Sequence, residues 1–222
     1  MRRLTPIVPP LGAIPKFPSE TGLTKPVLLD SSGDITSPSI MDAMKGTNFI
    51  AGLRWLRGEG LDEAYLDGLT PSVRATITSI AAGDWIPLET CLVHYAALDA
   101  LALSFERRIG FGADVSRFLN GLVLGTIARL AGKVGVSPLM PLSRAAGMFA
   151  RSFRGGAIAT YQLGPRSAMF EVQGCKFAVS PCHRDNVHGA LIDGARPFAE
   201  EVRVVEITSK RTPTSYAFRF DW

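Results

Sequence analysis

The side chains able to do chemistry are few and fall in two places. Cys175, Cys182, His183 and His188 follow the spacing C-x6-C-H-x4-H. Thiolates and imidazoles are common zinc ligands, and a strand ending near Cys175 before a helix opening at Cys182 would let them converge. The spacing matches neither paired CxxC nor CxxC with a later HxxxH. A reduced cysteine at a sheet end beside helix-start histidines is therefore the leading reading, with zinc through Cys175, Cys182 and His183 as the alternative. Cys91 and His94 stand three apart and share a helical face. A nucleophilic pair would need a thiolate stabilised by a cation and open to substrate. Both residues sit instead in apolar sequence, where burial keeps a thiol protonated. His94 reads as a hydrogen-bonded core histidine, or as a polar contact inside an apolar ligand pocket.

No GxSxG elbow, HExxH pair, Walker loop or GxGxxG run occurs. Gly110-Phe111-Gly112 reads as a helix-to-helix turn, because no strand precedes it. With no catalytic constellation, the expectation is a protein that is not an enzyme. Three irregularly spaced cysteines give no disulfide framework and suit a reducing cytoplasm. Leu4–Pro18 carries five prolines and no continuous apolar run, unlike a signal peptide. The longest apolar stretch, 118–132, holds Asn120 and Arg129 and is too short to span a bilayer.

These residues need a scaffold, and the 222-residue chain is long enough to build one. Its 46% hydrophobic and 20% charged residues exclude wholesale disorder. The first forty residues differ, holding seven of the fifteen prolines with no helical or strand period. They read as a separate extended or disordered arm, 1–40, whose Ile7-Val8 and Val27-Leu28-Leu29 could dock on a groove or a second subunit. The remainder, 41–222, reads as one domain. Helical periodicity runs from Met41 to the Gly58-Glu59-Gly60 break, over Leu61–Leu69, and from Thr70-Pro71 to Ala82. A long helix is predicted from Pro87 to Arg108, then others over Asp114–Lys133 and Ser137–Phe153. Ala157–Leu163 and Ser167–Gly174 form a hairpin turning at Gly164-Pro165. A helix over Pro181–Ala195 follows, then strands over Val202–Ile207 and Tyr216–Trp222. The fold class is α+β: an N-terminal helical bundle, then hairpin, helix and hairpin making an antiparallel sheet packed on helices.

The formal charge of +4 hides a contrast. Residues 42–106 carry four basic and nine acidic side chains, while 107–154 carry eight basic ones against Asp114 alone. The basic block is expected to meet the acidic half within one chain or across a homodimer. A solvated face is the next reading, and no aromatic interleaving or binding motif points to nucleic acid.

Six motifs in order carry a family resemblance: Met44-Lys45-Gly46-Thr47-Asn48-Phe49, Asp84-Trp85-Ile86-Pro87, Gly112-Ala113 with Arg117 and Gly121, Ser137-Pro138-Leu139, 149–156 (FARSFRGG), and Phe218–Trp222. Over 42–222 the chain resembles a domain family abundant in myxobacteria. That family is similar in layout to three larger groups: heme nitric-oxide/oxygen sensor domains, 4-vinyl-reductase-type ligand sensors, and Golgi transport tethering subunits. The resemblance implies helices before a hairpin–helix–hairpin, a hydrophobic pocket between them, and dimers. Heme sensors of this layout hold the iron through a histidine ahead of the first hairpin and the propionates through a Tyr-x-Ser-x-Arg run. Ser137–Phe153 has no histidine and 161–165 does not fit the run, so no cofactor is expected and heme is set aside. The zinc of the vinyl-reductase type needs cysteines near the last hairpin, and Lys210–Trp222 has none. The expected function is a cytoplasmic sensor or regulatory module taking a small apolar molecule between His94, Tyr95, Phe118, Leu122 and Met148. The alternative is a ligand-free dimeric scaffold or tether that docks a protein partner through residues 1–40 or the basic helical block.

Overall fold

The computed structural model describes residues 26–133, 137–199 and 201–222, without the side chains of Asn120 and residues 122–133. In chain order it comprises β1 (Val27–Ser32), β2 (Ala43–Lys45), α1 (Gly46–Gly58), α2 (Asp62–Asp67), α3 (Pro71–Thr78), β3 (Trp85–Pro87) and α4 (Leu88–Ala100). Then come α5 (Phe105–Lys133), α6 (Leu139–Leu142), α7 (Ala145–Ser152), β4 (Phe153–Arg154), β5 (Ala157–Gly164), β6 (Ser167–Gln173), α8 (Pro181–Ala195), β7 (Arg203–Glu206) and β8 (Ser215–Asp221). This is the expected α+β architecture.

Apolar and aromatic residues at every second position of β6 and β8 set the main sheet. It is antiparallel with strand order β1-β5-β6-β8-β7. Register places Val172 opposite Tyr216, Phe170 opposite Phe218 and Ala168 opposite Phe220. With Ile158 these form one buried face. A one-residue slip would turn the whole set outward, so burial of this face fixes the register.

From residue 26 the stretch expected as part of an arm belongs to this sheet. Val27–Ser32 lies antiparallel to β5, with a register shift between Leu28 and Asp30. The edge of β5 supplies hydrogen-bonding groups that need partners whatever the side chains of the added strand. Asp30 then accepts the backbone N–H of Ala146 at 3.1 Å, tying the strand to α7. Residues 1–25, and with them Ile7-Val8, lie outside the described residues.

A second sheet, β3-β2-β4, escaped the sequence reading because its strands are only two or three residues long. It gathers three of the motifs: Met44 lies opposite both Ile86 and Phe153. Gly155, at φ +72°, is required beside it, because a Cβ there would come 2.4 Å from the Ile40 carbonyl oxygen.

The helix boundaries around residue 105 correct the prediction. The expected helix from Pro87 to Arg108 ends at Ala100 and a new one starts at Phe105. Ala102 takes a left-handed φ of 48°, and the Ser104 hydroxyl accepts the Arg107 N–H at 3.3 Å as a cap. Gly110-Phe111-Gly112 is therefore not a turn; it lies inside α5. Its glycine serves packing: a Cβ on Gly112 would lie 1.9 Å from the Asn186 carbonyl oxygen, and one on Gly189 2.0 Å from that of Ile109. Helices α5 and α8 thus touch backbone to backbone. Gly121, with φ 64° and ψ 172°, kinks α5. The helix expected over Ser137–Phe153 divides into α6 and α7.

Part of the charge contrast closes within the chain. Arg107 pairs with Glu59 at 2.8 Å and Arg154 with Asp42 at 2.7 Å, each joining the basic block to the acidic half. Arg108 and Arg117 reach the other way, to Asp185 at 2.6 Å and Asp193 at 2.8 Å on α8.

Candidate functional site

Between the helices and the sheet runs a set of buried polar rings. Helix α4 is apolar on most sides and carries His94 and Tyr95 into the core, at 2% and 5% exposure. His94 Nδ1 lies 2.6 Å from the Tyr65 hydroxyl of α2. Its ring packs against Phe49 at 4.5 Å and Tyr95 at 5.1 Å. Burial pushes its pKa down to about 3, so it is a neutral imidazole at ordinary pH. Burial likewise keeps the Tyr65 proton on its oxygen.

The start of α8 supplies the second group. Ser180 caps the helix by accepting the His183 N–H at 3.1 Å, with Pro181 in the first turn. That cap directs the His183 ring inward, where Nε2 lies 2.9 Å from the Tyr216 hydroxyl and 3.5 Å from Cys175 Sγ. Burial, then the charge of Arg184, lowers its pKa to about 3. Its Nδ1 has no hydrogen-bond partner among the described residues. Tyr95 lies against the same ring at 4.8 Å and Phe177 at 5.4 Å. His188, further along α8, is bonded at Nε2 to the Val204 carbonyl at 2.9 Å, which accepts.

The cysteines are all free and buried, and burial pushes each thiol up to about 12. None is a ready nucleophile. Cys91 Sγ donates to the Ile86 carbonyl at 3.4 Å instead of meeting His94. Cys175 does meet His183, whereas the Cys182 backbone N–H donates to Asp99 Oδ1 at 2.8 Å. No group of three metal-binding side chains forms among the described residues.

Beside this core opens a cleft of about 110 Å³. Helix α4 lines it with Leu92, Tyr95, Ala96 and Asp99, and the approach to α8 with Phe177, Val179 and Ser180. Of the five residues expected to line a pocket, Tyr95 is on its wall. His94 lies in the core behind. Phe118 is 40% exposed on α5, with the Arg54 guanidinium 5.2 Å from its ring centre, and Met148 is 48% exposed on α7. The Leu122 side chain lies outside those described. Helix-face reasoning put Phe118 inward because it placed the start of that helix at Asp114 and knew nothing of the kink at Gly121. Asp99, Phe177 and Val179 were missed; the Ser180-Pro181 helix start was the one signal that pointed near them.

No family model and no curated protein matches this sequence. Solved structures do match in shape. An Fe(II) unliganded H-NOX protein from K. algicida superposes with TM-score 0.60 at 11% identity, over 80% of this chain and 96% of its own. A Cs H-NOX mutant gives 0.54 at 15% identity over 80% and 96%, and a point mutant of T. Tengcongensis H-NOX 0.51 at 14% over 80% and 97%. Another structure with TM-score 0.52 is described as probing heme distortion in the H-NOX family. This likeness reopens heme, which the sequence sets aside. A histidine that is to be the axial ligand needs a ring nitrogen facing a cavity wide enough for a porphyrin. Here His94, His183 and His188 are each buried and bonded at one ring nitrogen, none lines the cleft, and 137–153 contains no histidine. As packed, no histidine lines the cleft and about 110 Å³ does not admit a porphyrin, while His183 Nδ1 has no partner among the described residues. At this level of identity the likeness establishes architecture alone, and the chain has an H-NOX-like fold.

Proposed function

We propose that this protein is a non-enzymatic sensor module that takes a small ligand in the cleft between α4 and the start of α8. The observation that carries the reading is that the cleft wall and the polar core share residues. Tyr95 and Phe177 line the cleft and also pack on His183. A ligand against those two rings therefore presses on a side chain that joins α8 to β8 through Tyr216. At about 110 Å³ the space suits a molecule no larger than benzene, which fits an apolar cavity of about 150 Å³. With pKa values of about 3, His94 and His183 are weak general bases, and thiols at about 12 are poor nucleophiles near neutral pH, which supports a binding role over a catalytic one.

Native mass spectrometry of the freshly purified full chain, with its absorption spectrum, tests this. The expected result is a small extra mass lost on denaturation, with no Soret band. A heme mass with a Soret band would replace the small-ligand reading. An unadorned mass, together with no response to any benzene-sized compound, would leave a ligand-free scaffold.

A further inference from the structure

The cleft has one charged wall. Asp99 stands in the last turn of α4, and its Oδ1 accepts the Cys182 N–H at 2.8 Å. A carboxylate offers about four lone-pair positions, so one such bond leaves capacity. No basic side chain forms an ion pair with Asp99 among the described residues. Arg108 is committed to Asp185 at 2.6 Å and Arg184 to Glu206 at 3.3 Å. The α8 N-terminus offsets part of this charge through the Cys182 N–H that it gives to Asp99, while its His183 N–H goes to Ser180. Around it α4 ends in carbonyls with no basic residue in its last turn, a further source of negative potential. The remaining polar wall is Ser180, and the rest is apolar or aromatic, with Tyr95 and Phe177 5.4 Å apart.

An aromatic-walled cleft with a single carboxylate is complementary to a small cation with an apolar skin, because ring faces and carboxylate attract positive charge together. Building on the ligand-binding reading above, we propose that the cleft selects a small alkylammonium ion over a neutral molecule of the same size. Tetramethylammonium and tert-butanol, of equal heavy-atom count, separate the two claims. Calorimetric titration of the full chain is expected to show tetramethylammonium binding about fivefold more tightly than tert-butanol. In Asp99→Asn, which retains an oxygen for the Cys182 N–H, the ratio of the two dissociation constants should fall from about five to about one. Equal or tighter binding of tert-butanol by the wild-type chain overturns the cation claim and leaves the cleft as a ligand site. Binding of neither probe overturns both. A preference that survives Asp99→Asn, with the variant's circular dichroism unchanged, removes Asp99 from the site.

Discussion

Helix α8 makes two contacts of opposite character. Along α5 it is pressed so closely that Gly112 and Gly189 have no room for a methyl group. At its N-terminal end it is tied to α4 by the Asp99–Cys182 hydrogen bond, and the cleft over Tyr95 and Phe177 opens beside that point. The close contact carries ion pairs at 2.6 and 2.8 Å from Arg108 and Arg117. The open end holds Asp99, free of any such pair among the described residues. One helix thus has a closely packed flank and, beside its N-terminal end, an open cleft, where the proposed ligand would sit. The difference teaches that glycines mark the close helix contact, while aromatic residues line the cleft that the proposed function uses.

Among the substitutions, the closely packed flank gives the largest expected effect. Gly112→Ala should cost about 3 kcal/mol, because the new Cβ meets backbone atoms that cannot rotate away. Thermal unfolding should drop by roughly 10 °C. An unchanged midpoint would show that the two helices can separate without loss.

Acid acts on the core beside the cleft, and through two histidines together its effect is at least as large. His94 and His183 protonate near pH 3 in the folded chain but near 6.5 when unfolded. The unfolded state therefore binds more protons between these values, and stability is full above about 6.5 and lost as pH falls toward 3. Each histidine contributes at most about 1.4 kcal/mol per pH unit. Urea unfolding from pH 6.5 to 4.5, where carboxylates stay mostly ionised, should show this slope. A flat profile would mean that the two rings are reached by water.

The two histidine–tyrosine pairs should differ. Tyr65→Phe removes the hydroxyl beside His94 Nδ1 and should cost about 2 kcal/mol. Tyr216→Phe leaves Cys175 within reach of His183 Nε2 and should cost about 1 kcal/mol. Equal losses, read from denaturant midpoints, would deny the thiol that compensating role. Smallest in stability is Ala96→Phe. Ala96 is exposed, so the fold should change by less than about 0.5 kcal/mol. The added ring would fill the cleft, and the small-ligand mass should vanish from the native spectrum.

The same contrast governs what the sequence discloses. The alternation of Tyr216, Phe218 and Phe220 names a sheet face directly, because period two has one reading. The hairpin at Gly164-Pro165 and the helix start at Ser180-Pro181 are equally local. By contrast, the break at Leu101–Ser104 rests on a left-handed Ala102, a conformation no residue type announces. Gly112 resembles a turn in sequence and proves to be a contact, because Asn186 and Ile109 stand beside these glycines only after folding. Strand β1 has no pattern of its own and borrows its structure from the edge of β5. The candidate site divides likewise. Tyr95 is legible from the face of α4, while Asp99, Phe177 and Val179 depend on where the α4–α8 junction opens.

The most direct test is a ¹H–¹⁵N spectrum of the full chain titrated with tert-butanol. If the cleft is the ligand site, the shifts gather on Leu92, Tyr95, Ala96, Asp99, Phe177, Val179 and Ser180. They should fade along α5. Shifts centred on 137–153 or on Phe118, or no shifts at saturating ligand, would contradict the account.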